Sequence, residues 1–406
     1  MTPSKRNDPI PWHYGQNMKI RCIVKISKLC NLRCRYCYET DELADPSRMS
    51  LEQIKILFCH IGKYILDWGT ADQDHELSFI WHGGEPFAQP LPYWEDLFRL
   101  QMETLTIPFP NLLISNSIQS NLTLISEKHL PLLRSLTLGF SYDVINHARL
   151  TAGGQSTDSL LRERINWLLS ENIPLGGIAV ISTHNISYPE QIASFFLAYQ
   201  IPFRALNIYQ GKDVIAGAQT LAVSFERYVE FFKIFGNLPQ VRQSLANGLR
   251  IDPIWTAEKI AVKWRNQELS DNSFEEACHQ DTYLAVNTNG DVYSQGDCYN
   301  PEYRYGNIFT QPMIDLLFFS EGRARRIQRT KQRFKAICQR CFLFRKGCDG
   351  TFVSHATPED IREFEKTGSC YYGVLVDWIL NNRPVPLPTA RHKPNRELRL
   401  VETGSS

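Results

Sequence analysis

The chain has 406 residues, of which 43% are apolar and 21% charged, and this ordinary globular composition excludes intrinsic disorder over most of its length. A formal net charge of +1 argues against a global field that attracts nucleic acid. No run approaches the roughly 18 consecutive apolar residues of a membrane helix, and the polar N-terminus lacks the apolar core of a secretory signal, so we expect a cytoplasmic protein that binds neither membrane nor nucleic acid.

The first half of the chain alternates between apolar, β-branched runs and segments with helical periodicity. This alternation predicts an α/β fold of parallel strands joined by right-handed helical crossovers. The predicted strands span residues 22–26, 77–81, 112–118, 136–142, 177–182 and 203–209. The predicted helices span residues 50–68, 93–105, 126–135, 158–170 and 189–199. Six such units can form an incomplete barrel with its chemistry at the carboxyl ends of the strands.

Two local features add detail to this prediction. Each predicted strand is a nearly continuous apolar run, which is typical of a parallel sheet that is covered on both faces. Ser50 followed by Gln53 predicts a capping box at the start of the first long helix.

The pattern changes after about residue 215. Residues 225–235 and 255–268 have helical periodicity, and from Cys278 onward the chain contains short predicted strands, turns and cysteines. This last part cannot build a large apolar core, so a bound metal would supply part of its folding energy. We therefore expect five parts: an N-terminal extension (1–20), a core (21–215), a helical bridge (216–277), a cysteine-rich domain (278–380) and a proline-rich, extended or disordered tail (381–406).

Eleven cysteines are unusual for a cytoplasmic protein, because a reducing compartment disfavours disulfides and spaced cysteines there usually bind metal or do chemistry. Cys30, Cys34 and Cys37 lie in the predicted loop between the first strand and the first helix. Three thiolates this close can bind three irons of a [4Fe–4S] cluster and leave the fourth iron open. A zinc site usually has a fourth local ligand, yet the next cysteine, Cys59, lies inside a predicted helix. A buried cysteine group or an incomplete zinc knuckle is the alternative.

This cysteine run, with Tyr36 directly before its last member, resembles the signature of the radical S-adenosylmethionine (SAM) enzymes. Three further motifs follow predicted strands in the order that the family shows: a Gly-Gly-Glu-Pro motif, a Gln-Ser-Asn stretch and a Ser-Tyr-Asp stretch. Glycine allows a backbone to approach a ligand closely, which suits the first of them. The residues that the resemblance assigns to SAM are Gly83, Gly84, Glu85, Pro86, Gln119, Asn121, Ser141, Asp143 and Arg149.

The resemblance covers roughly residues 20–215 and implies a partial (β/α)6 radical SAM barrel. It implies that the open iron chelates the amine and carboxylate of SAM. One electron then cleaves a carbon–sulfur bond, and the resulting 5′-deoxyadenosyl radical abstracts a hydrogen atom from the substrate. The cofactor supplies this chemistry, and the protein positions the atoms and excludes competing reactions.

The second cysteine group resembles the SPASM extension, a small α+β domain that carries auxiliary iron–sulfur clusters in peptide-modifying radical SAM enzymes. By that resemblance one auxiliary [4Fe–4S] cluster is complete, with the ligands Cys338, Cys341, Cys348 and Cys370. Four thiolates saturate such a cluster, so it should pass electrons rather than bind substrate. A zinc ribbon with four cysteine ligands is the alternative.

The sequence departs from the SPASM pattern at Gln295 and Phe352, where the family has cysteines. A second auxiliary site therefore keeps only Cys278 and Cys298. Three outcomes stay open for it: no metal, zinc, or a cluster completed by another side chain. The candidates for that ligand are His279, Asp297 and His355.

Two aspartates, Asp291 and Asp297, lie near the position where related enzymes keep a base that deprotonates the oxidised substrate. A surface turn aspartate is the alternative for each. Residues 323–335 include seven basic side chains, which predict a solvated helix face and could also attract an acidic peptide. His82 and His147 are expected to be packed or hydrogen-bonded.

The runs 23–30, 37–39 and 81–86 most resemble the maturases that form three-residue cyclophanes, by joining an aromatic ring carbon to a β-carbon. The expected partners are a ribosomal precursor peptide and a reducing protein such as flavodoxin or ferredoxin. Only a short stretch precedes the first strand, so we expect no leader-binding domain there. The alternatives are thioether formation, epimerisation, oxidation of Ser or Cys as in sulfatase maturation, and a non-catalytic iron–sulfur redox sensor.

Overall fold

The computed structural model describes residues 18–69, 74–145, 147–208, 220–269, 283–294, 300–350, 352–353, 356 and 358–383, without the side chains of residues 41 and 358–360. Most of the tail 381–406 lies outside the described residues. None of the described helices combines the length and the apolar composition that are needed to cross a bilayer.

All six predicted strands are present and pair in parallel. The strands are β1 Lys19–Ser27, β2 His75–Gly83, β3 Leu112–Ser120, β4 Thr137–Ser141, β5 Leu175–Ile181, β6 Phe203–Asn207, β7 Ile251–Asp252, β8 Leu284–Val286, β9 Asp291–Ser294 and β10 Gly306–Asn307. In the described residues they form one sheet in the order β10-β9-β8-β1-β2-β3-β4-β5-β6-β7. The neighbours from β8 to β7 are parallel, and β9 pairs antiparallel with β8 and β10. The predicted partial barrel is confirmed.

Helices follow the strands as predicted. They are α1 Leu51–Trp68, α2 Leu91–Gln101, α3 Leu130–Leu133, α4 Asp158–Ser170, α5 Pro189–Ala198, α6 Phe225–Asn237, α7 Pro239–Ala246, α8 Ile254–Arg265, α9 Glu321–Ala336, α10 Pro358–Thr367 and α11 Tyr371–Asn382. The predicted helix 126–135 is divided, because Pro131 opens α3 behind a short 3-10 turn, Glu127–His129. The predicted helix 255–268 ends early, since Gln267 has a left-handed φ of 57°.

The helices cover one face of the sheet with a dense aromatic core. Trp81 of β2 is fully buried and lies 5.0 Å from the Phe79 ring in a stacked arrangement. It also makes edge contacts with Phe58 of α1 and Trp94 of α2. Each pair of this kind contributes about 0.5–1.5 kcal/mol beyond the burial of its area.

The opposite face, which we call the inner face, is only partly covered. Burial alternates along β2 and β5, and the half-buried positions of β2 include Ser78, Ile80 and His82. A Cβ atom added to Gly176 of β5 would meet no other atom within 4 Å. The prediction that both faces are covered was therefore wrong for this face, which leaves room for a ligand.

The C-terminal part of the chain extends the same sheet. β8 pairs in parallel with β1, with Cys22 opposite Leu284 and Val24 opposite Val286. The Thr288 hydroxyl donates to the Lys25 carbonyl oxygen at 2.8 Å. The cysteine-rich segment is therefore joined directly to the first strand of the barrel.

The predicted capping box at α1 is confirmed. The Ser50 hydroxyl oxygen accepts from the Gln53 N–H at 3.2 Å, and the Gln53 Oε1 accepts from the Ser50 N–H at 2.8 Å. We expect Ser50→Ala to lower the free energy of unfolding by about 1 kcal/mol, because one amide at the helix start loses its acceptor. The control is Lys55→Ala on the exposed side of α1, for which urea unfolding should show a change within about 0.5 kcal/mol. Equal losses in both variants would contradict a role for the cap.

Candidate active site

The segment 30–37, which we call the cysteine loop, leaves β1 at the carboxyl edge of the sheet. Its backbone is tied to the segment that follows β4. The Arg33 N–H donates to the Leu150 carbonyl at 2.7 Å, and the Arg35 N–H donates to the Ala148 carbonyl at 2.8 Å. A turn bond from the Cys37 N–H to the Cys34 carbonyl, at 3.0 Å, completes the loop. The loop therefore has little regular structure of its own and takes its shape from its neighbour.

The three thiols of this loop lie in a common, largely desolvated environment. Burial raises the pKa of Cys30 to about 11 and that of Cys37 to about 12, and it also raises the pKa of Cys34. The charge of a neighbouring thiolate contributes to the rise at Cys30 and Cys37. Thiols of this kind keep their protons until a metal that prefers thiolate displaces them.

The donor chemistry of the cysteine loop fits an iron–sulfur cluster. Thiolates are the ordinary ligands of such clusters, and three of them leave one iron for an external ligand. The side chains as they stand include, in the described ranges, no group of three or more His, Cys, Asp or Glu that is arranged to hold a metal ion. The fit therefore concerns the chemical type and the number of the donors.

Gly83 and Gly84 join the end of β2 to the start of the cysteine loop. A Cβ atom at Gly83 would overlap the Ser27 carbonyl oxygen, and one at Gly84 would overlap the carbonyls of Lys28 and Leu29. The Gly84 N–H donates to the Ser27 carbonyl at 2.9 Å. We expected glycine here because a ligand approaches the backbone. In the structure the protein's own backbone makes that close approach.

Glu85 is fully buried and accepts three hydrogen bonds. One carboxylate oxygen accepts from the Phe87 N–H at 3.0 Å and from the Ser120 hydroxyl at 2.7 Å, and the other accepts from the Asn121 N–H at 2.7 Å. The Asn121 amide in turn lies 3.8 Å from the Cys30 sulfur. Glu85 therefore links the ends of β2 and β3 to the cysteine loop, and Pro86 opens the turn behind it.

Gln119 and Ser141 meet on the inner face. The Gln119 side-chain amide donates to the Ser141 hydroxyl at 3.0 Å. Gly139, which lies opposite Gln119 in the register of β3 and β4, leaves the space that the glutamine side chain occupies. Two of the predicted SAM contacts are therefore adjacent, half-buried and polar.

Asp143 and Arg149 form a buried ion pair beside the cysteine loop. Asp143 Oδ2 accepts from the Arg149 Nε at 3.1 Å and from the Tyr36 hydroxyl at 2.5 Å, and Oδ1 accepts from the Val180 N–H at 2.9 Å. The Arg149 guanidinium lies 5.5 Å from the centre of the Tyr36 ring. Both residues were predicted to contact SAM, and here they contact each other. Burial raises the pKa of Cys34, and the charge of Arg149 opposes that rise.

A second buried ion pair was not found by sequence reasoning. The Lys25 ammonium of β1 lies 2.6 Å from the Glu39 carboxylate, and both side chains are 4% exposed. The same ammonium lies 4.9 Å from the centre of the Tyr38 ring. His82 lies opposite Lys25 in the register of β1 and β2, and burial lowers its pKa. A lysine within an apolar strand was the signal that could have revealed this cluster.

The four cysteines of the predicted auxiliary site interact electrostatically, although their side chains are not arranged to hold a metal ion. Burial raises the pKa of Cys348 to about 12 and that of Cys370 to about 11. It raises the pKa of Cys338 further than either of these. Charges on Cys341, Cys348 and Cys370 contribute to the rise at Cys338. The Cys370 sulfur also accepts from the Gly373 N–H at 3.4 Å and so caps α11. These four thiols fit the donor set of an auxiliary cluster.

The remaining predicted ligands are less fully described. Cys278, Cys298, Asp297, Gln295, His279 and His355 lie outside the described residues. Phe352 packs in an aromatic group, 4.1 Å from the Tyr371 ring and 5.2 Å from the Tyr372 ring. A side chain that contributes to a core therefore stands where the SPASM pattern has a cysteine.

Asp291 lies in the hairpin of β9 and β10. Its Oδ1 accepts from Arg304 at 3.2 Å and from the Asn307 amide at 3.1 Å. The basic segment 323–335 forms most of α9, and Arg323, Arg326 and Arg333 are buried there. The prediction of a solvated helix face was therefore wrong for these three residues, because this helix packs into the cysteine-rich part.

No protein-family model matches the chain. A serine-type anaerobic sulfatase-maturating enzyme of Bacteroides thetaiotaomicron is 23% identical over 352 residues, which is 80% of both chains. A cysteine-type anaerobic sulfatase-maturating enzyme of Clostridium perfringens is 23% identical over 328 residues, which is 79% of this chain and 85% of that one.

Solved structures share the fold. The structure described as native anSMEcpe with bound AdoMet and Cp18Cys peptide has a TM-score of 0.67 and 18% identity, and the match covers 90% of this chain and 98% of that one. Streptococcus suis SuiB bound to S-adenosylmethionine has a TM-score of 0.53 and 14% identity, over 85% of this chain and 76% of that one. This chain therefore has the fold of the anaerobic sulfatase-maturating enzymes.

We expect Asp143→Ala to lower the free energy of unfolding by about 3–5 kcal/mol, because it leaves the Arg149 charge buried without its carboxylate. The control is Asp45→Ala, which breaks a solvent-exposed pair with Lys28 and should therefore cost much less than Asp143→Ala. Urea unfolding of both variants measures the difference. Similar losses would show that Asp143 does not stabilise a buried charge.

Glu85 should give the stability a pH dependence. Burial raises its pKa to about 7, against the pull of three hydrogen-bond donors, from an ordinary value of 4.5. The folded state therefore holds a proton that the unfolded chain has lost, and its stability should fall as the pH rises from 4.5 to about 7. Glu85→Gln removes the titration. The stability of the wild type minus that of Glu85→Gln, from urea unfolding at each pH, should decrease across this window, and a constant difference would refute the shift.

Proposed function

We propose that this chain is a radical SAM enzyme that modifies a side chain of a peptide or protein, with oxidation of a Ser or Cys residue as its reaction. The cysteine loop at the carboxyl edge of a parallel, half-open sheet is the observation that carries the proposal. Relatives named serine-type and cysteine-type sulfatase-maturating enzymes, which match along about four fifths of the chain, support the choice of reaction.

Cys30, Cys34 and Cys37 would hold a [4Fe–4S] cluster in this function. When bound, the cluster supplies the electron that splits SAM into methionine and a 5′-deoxyadenosyl radical. The polar groups at the ends of β2, β3 and β4 would hold SAM against the open iron. In this proposal the backbone of residues 83–86 receives the methionine amine, and Arg149 receives the carboxylate.

Gln119 and Ser141 would contact the nucleotide from the inner face. Their donor and acceptor already face each other at 3.0 Å, so both can turn to a ligand without leaving a buried group unpaired. Asn121 and Asp143 would fix the ends of β3 and β4 against the cysteine loop. The half-covered inner face would admit the substrate side chain.

The oxidation of a serine side chain must remove two hydrogens, one from its β-carbon and one from its hydroxyl group. One leaves as a hydrogen atom to the 5′-deoxyadenosyl radical, and the second leaves as a proton and an electron, which converts a serine hydroxymethyl group to an aldehyde. A cysteine would give a thioaldehyde by the same loss, and water would convert it to the aldehyde with release of hydrogen sulfide. Cys338, Cys341, Cys348 and Cys370 would hold the auxiliary [4Fe–4S] cluster that accepts the electron. Asp291 or Asp297 would accept the proton.

A second candidate is the cyclophane crosslink, and one structural observation favours it. The three runs that resemble cyclophane maturases contribute Lys25, Glu39 and His82 in turn, and these residues form one buried cluster at the inner face. Residues that a rigid scaffold positions at strand ends and in loops often carry binding, so this cluster is a candidate for substrate recognition.

We expect Cys30→Ala, Cys34→Ala and Cys37→Ala to abolish dithionite-dependent formation of 5′-deoxyadenosine and to remove about four irons per chain after anaerobic reconstitution. Chromatography and an iron assay measure both. Cys59→Ala, which changes an exposed thiol on α1, is the matched control and should retain both. Retained SAM cleavage in any of the first three variants would overturn the proposal.

The same assay separates the two reactions. Peptides that carry Ser, Cys or an aromatic residue two positions before another side chain serve as substrates. An aldehyde product reacts with a hydrazide, whereas a crosslinked peptide loses two hydrogens and stays unreactive. A hydrazide adduct on a Ser or Cys peptide supports the first candidate, and an unreactive, crosslinked product supports the second.

A further inference from the structure

A row of side chains crosses the inner face at the level of the predicted SAM contacts. Ser141 of β4 lies opposite Ile178 of β5, and Ile178 lies opposite Arg204 of β6. Neighbouring strands of a sheet are about 4.8 Å apart, so the Cα atoms of Ser141 and Arg204 are roughly 10 Å apart. A positive charge therefore belongs to the same half-open surface as the predicted SAM contacts.

Arg204 projects to the inner face and not toward the helices. Its neighbours along β6, Phe203 and Ala205, are buried, and the Phe203 ring stacks on Phe196 of α5 at 4.1 Å. Successive side chains of a strand point to opposite faces, so Arg204 projects from the face that the helices leave uncovered. Gly176 of β5 adds space on this face, because an added Cβ atom would meet no other atom within 4 Å.

The Arg204 guanidinium lacks a partner within the part of the chain that the structure describes. It is exposed, forms no ion pair there and donates no hydrogen bond to a described residue. Asp252, which lies opposite it in the register of β6 and β7, is already engaged. The Asp252 carboxylate accepts from the Arg250 Nε at 2.7 Å and from the Thr256 hydroxyl at 2.5 Å.

Protein surrounds this guanidinium although solvent reaches it. Desolvation lowers the pKa of Arg204, but the electrostatic effects of its neighbours raise that pKa by more, so the guanidinium stays charged. These neighbours are Tyr371, Tyr372, Asp252 and Tyr228. A charge at the wall of a cleft attracts an anion more strongly than the same charge on an open surface, because less water screens it.

We propose that Arg204 binds an acidic side chain of the peptide substrate, an inference that rests on the proposed function. Two parallel N–H groups of a guanidinium fit the two oxygens of a carboxylate. An extended peptide advances about 3.3 Å per residue, so the roughly 10 Å between Arg204 and Ser141 correspond to about three residues. The acidic residue therefore lies about two to four positions from the residue that is modified, and Arg204 helps to select that residue.

The test measures binding of labelled peptides to the reconstituted full-length protein with SAM, by fluorescence anisotropy. Each peptide has blocked termini and a central Ser, Cys or aromatic residue. One position, between one and five residues from the centre on either side, carries Glu or, in the matched peptide, Gln. We expect Glu at two to four positions on one side to lower the Kd about ten-fold relative to Gln, because a hydrogen-bonded pair of charges forms.

Variants of the arginine test whether it causes this preference. Arg204→Gln should bind the Glu and Gln peptides equally, and Arg204→Lys, which keeps the charge, should retain part of the preference. The matched control is Arg227→Gln on α6, which removes another exposed arginine that forms no ion pair among the described residues, and it should retain the full preference.

Equal Kd values of the wild type for all Glu and Gln peptides, or a preference that survives in Arg204→Gln, overturn the role of Arg204. Binding is measured without turnover, so this result does not depend on the reaction. Absence of dithionite-dependent SAM cleavage by the wild type overturns the proposed function instead, and the two failures are therefore distinguishable.

Discussion

The structure depends on two buried carboxylates that hold a loop with little regular structure of its own. Glu85 binds the ends of β2 and β3, and through Asn121 it reaches Cys30. Asp143 binds Arg149, Tyr36 and the backbone of β5. Burying a carboxylate costs free energy unless its oxygens accept hydrogen bonds or pair with a cation. Each of these two carboxylates therefore favours the one arrangement in which its partners are in place. The backbone of the cysteine loop is therefore fixed by contacts within the protein, and the entropy of ordering this loop is lost on folding.

The strands and most helices were predictable because their information is local. Each signal involves only a few neighbouring residues. Examples are the spacing of apolar residues, the Ser50 cap and the proline that opens α3. Contacts across the sheet were not predictable in the same way. Tyr36 and Asp143 are 107 residues apart in the chain, and only the strand order brings them together. The half-open inner face was missed because an apolar run does not tell whether a helix covers it.

The same distinction between local information and contacts across the fold applies to the candidate site. The type and spacing of the cysteines indicated their chemistry, and their grouping follows from a short loop and from one helix cap. The roles of the motif side chains required the fold. Gly83 and Gly84 accommodate neighbouring carbonyls, and Arg149 is held by Asp143. Lys25 and Glu39 are 14 residues apart and share no motif, so their pairing was not predictable from the sequence. Their ion pair places two buried charged side chains at the inner face.

The sheet is completed by a strand that comes late in the chain. β1 spans Lys19–Ser27, and its partner β8 spans Leu284–Val286. During synthesis the ribosome must therefore add more than two hundred residues before that edge of β1 can be paired. An unpaired edge strand is a template for association with other chains, so the nascent protein needs protection there until β8 arrives.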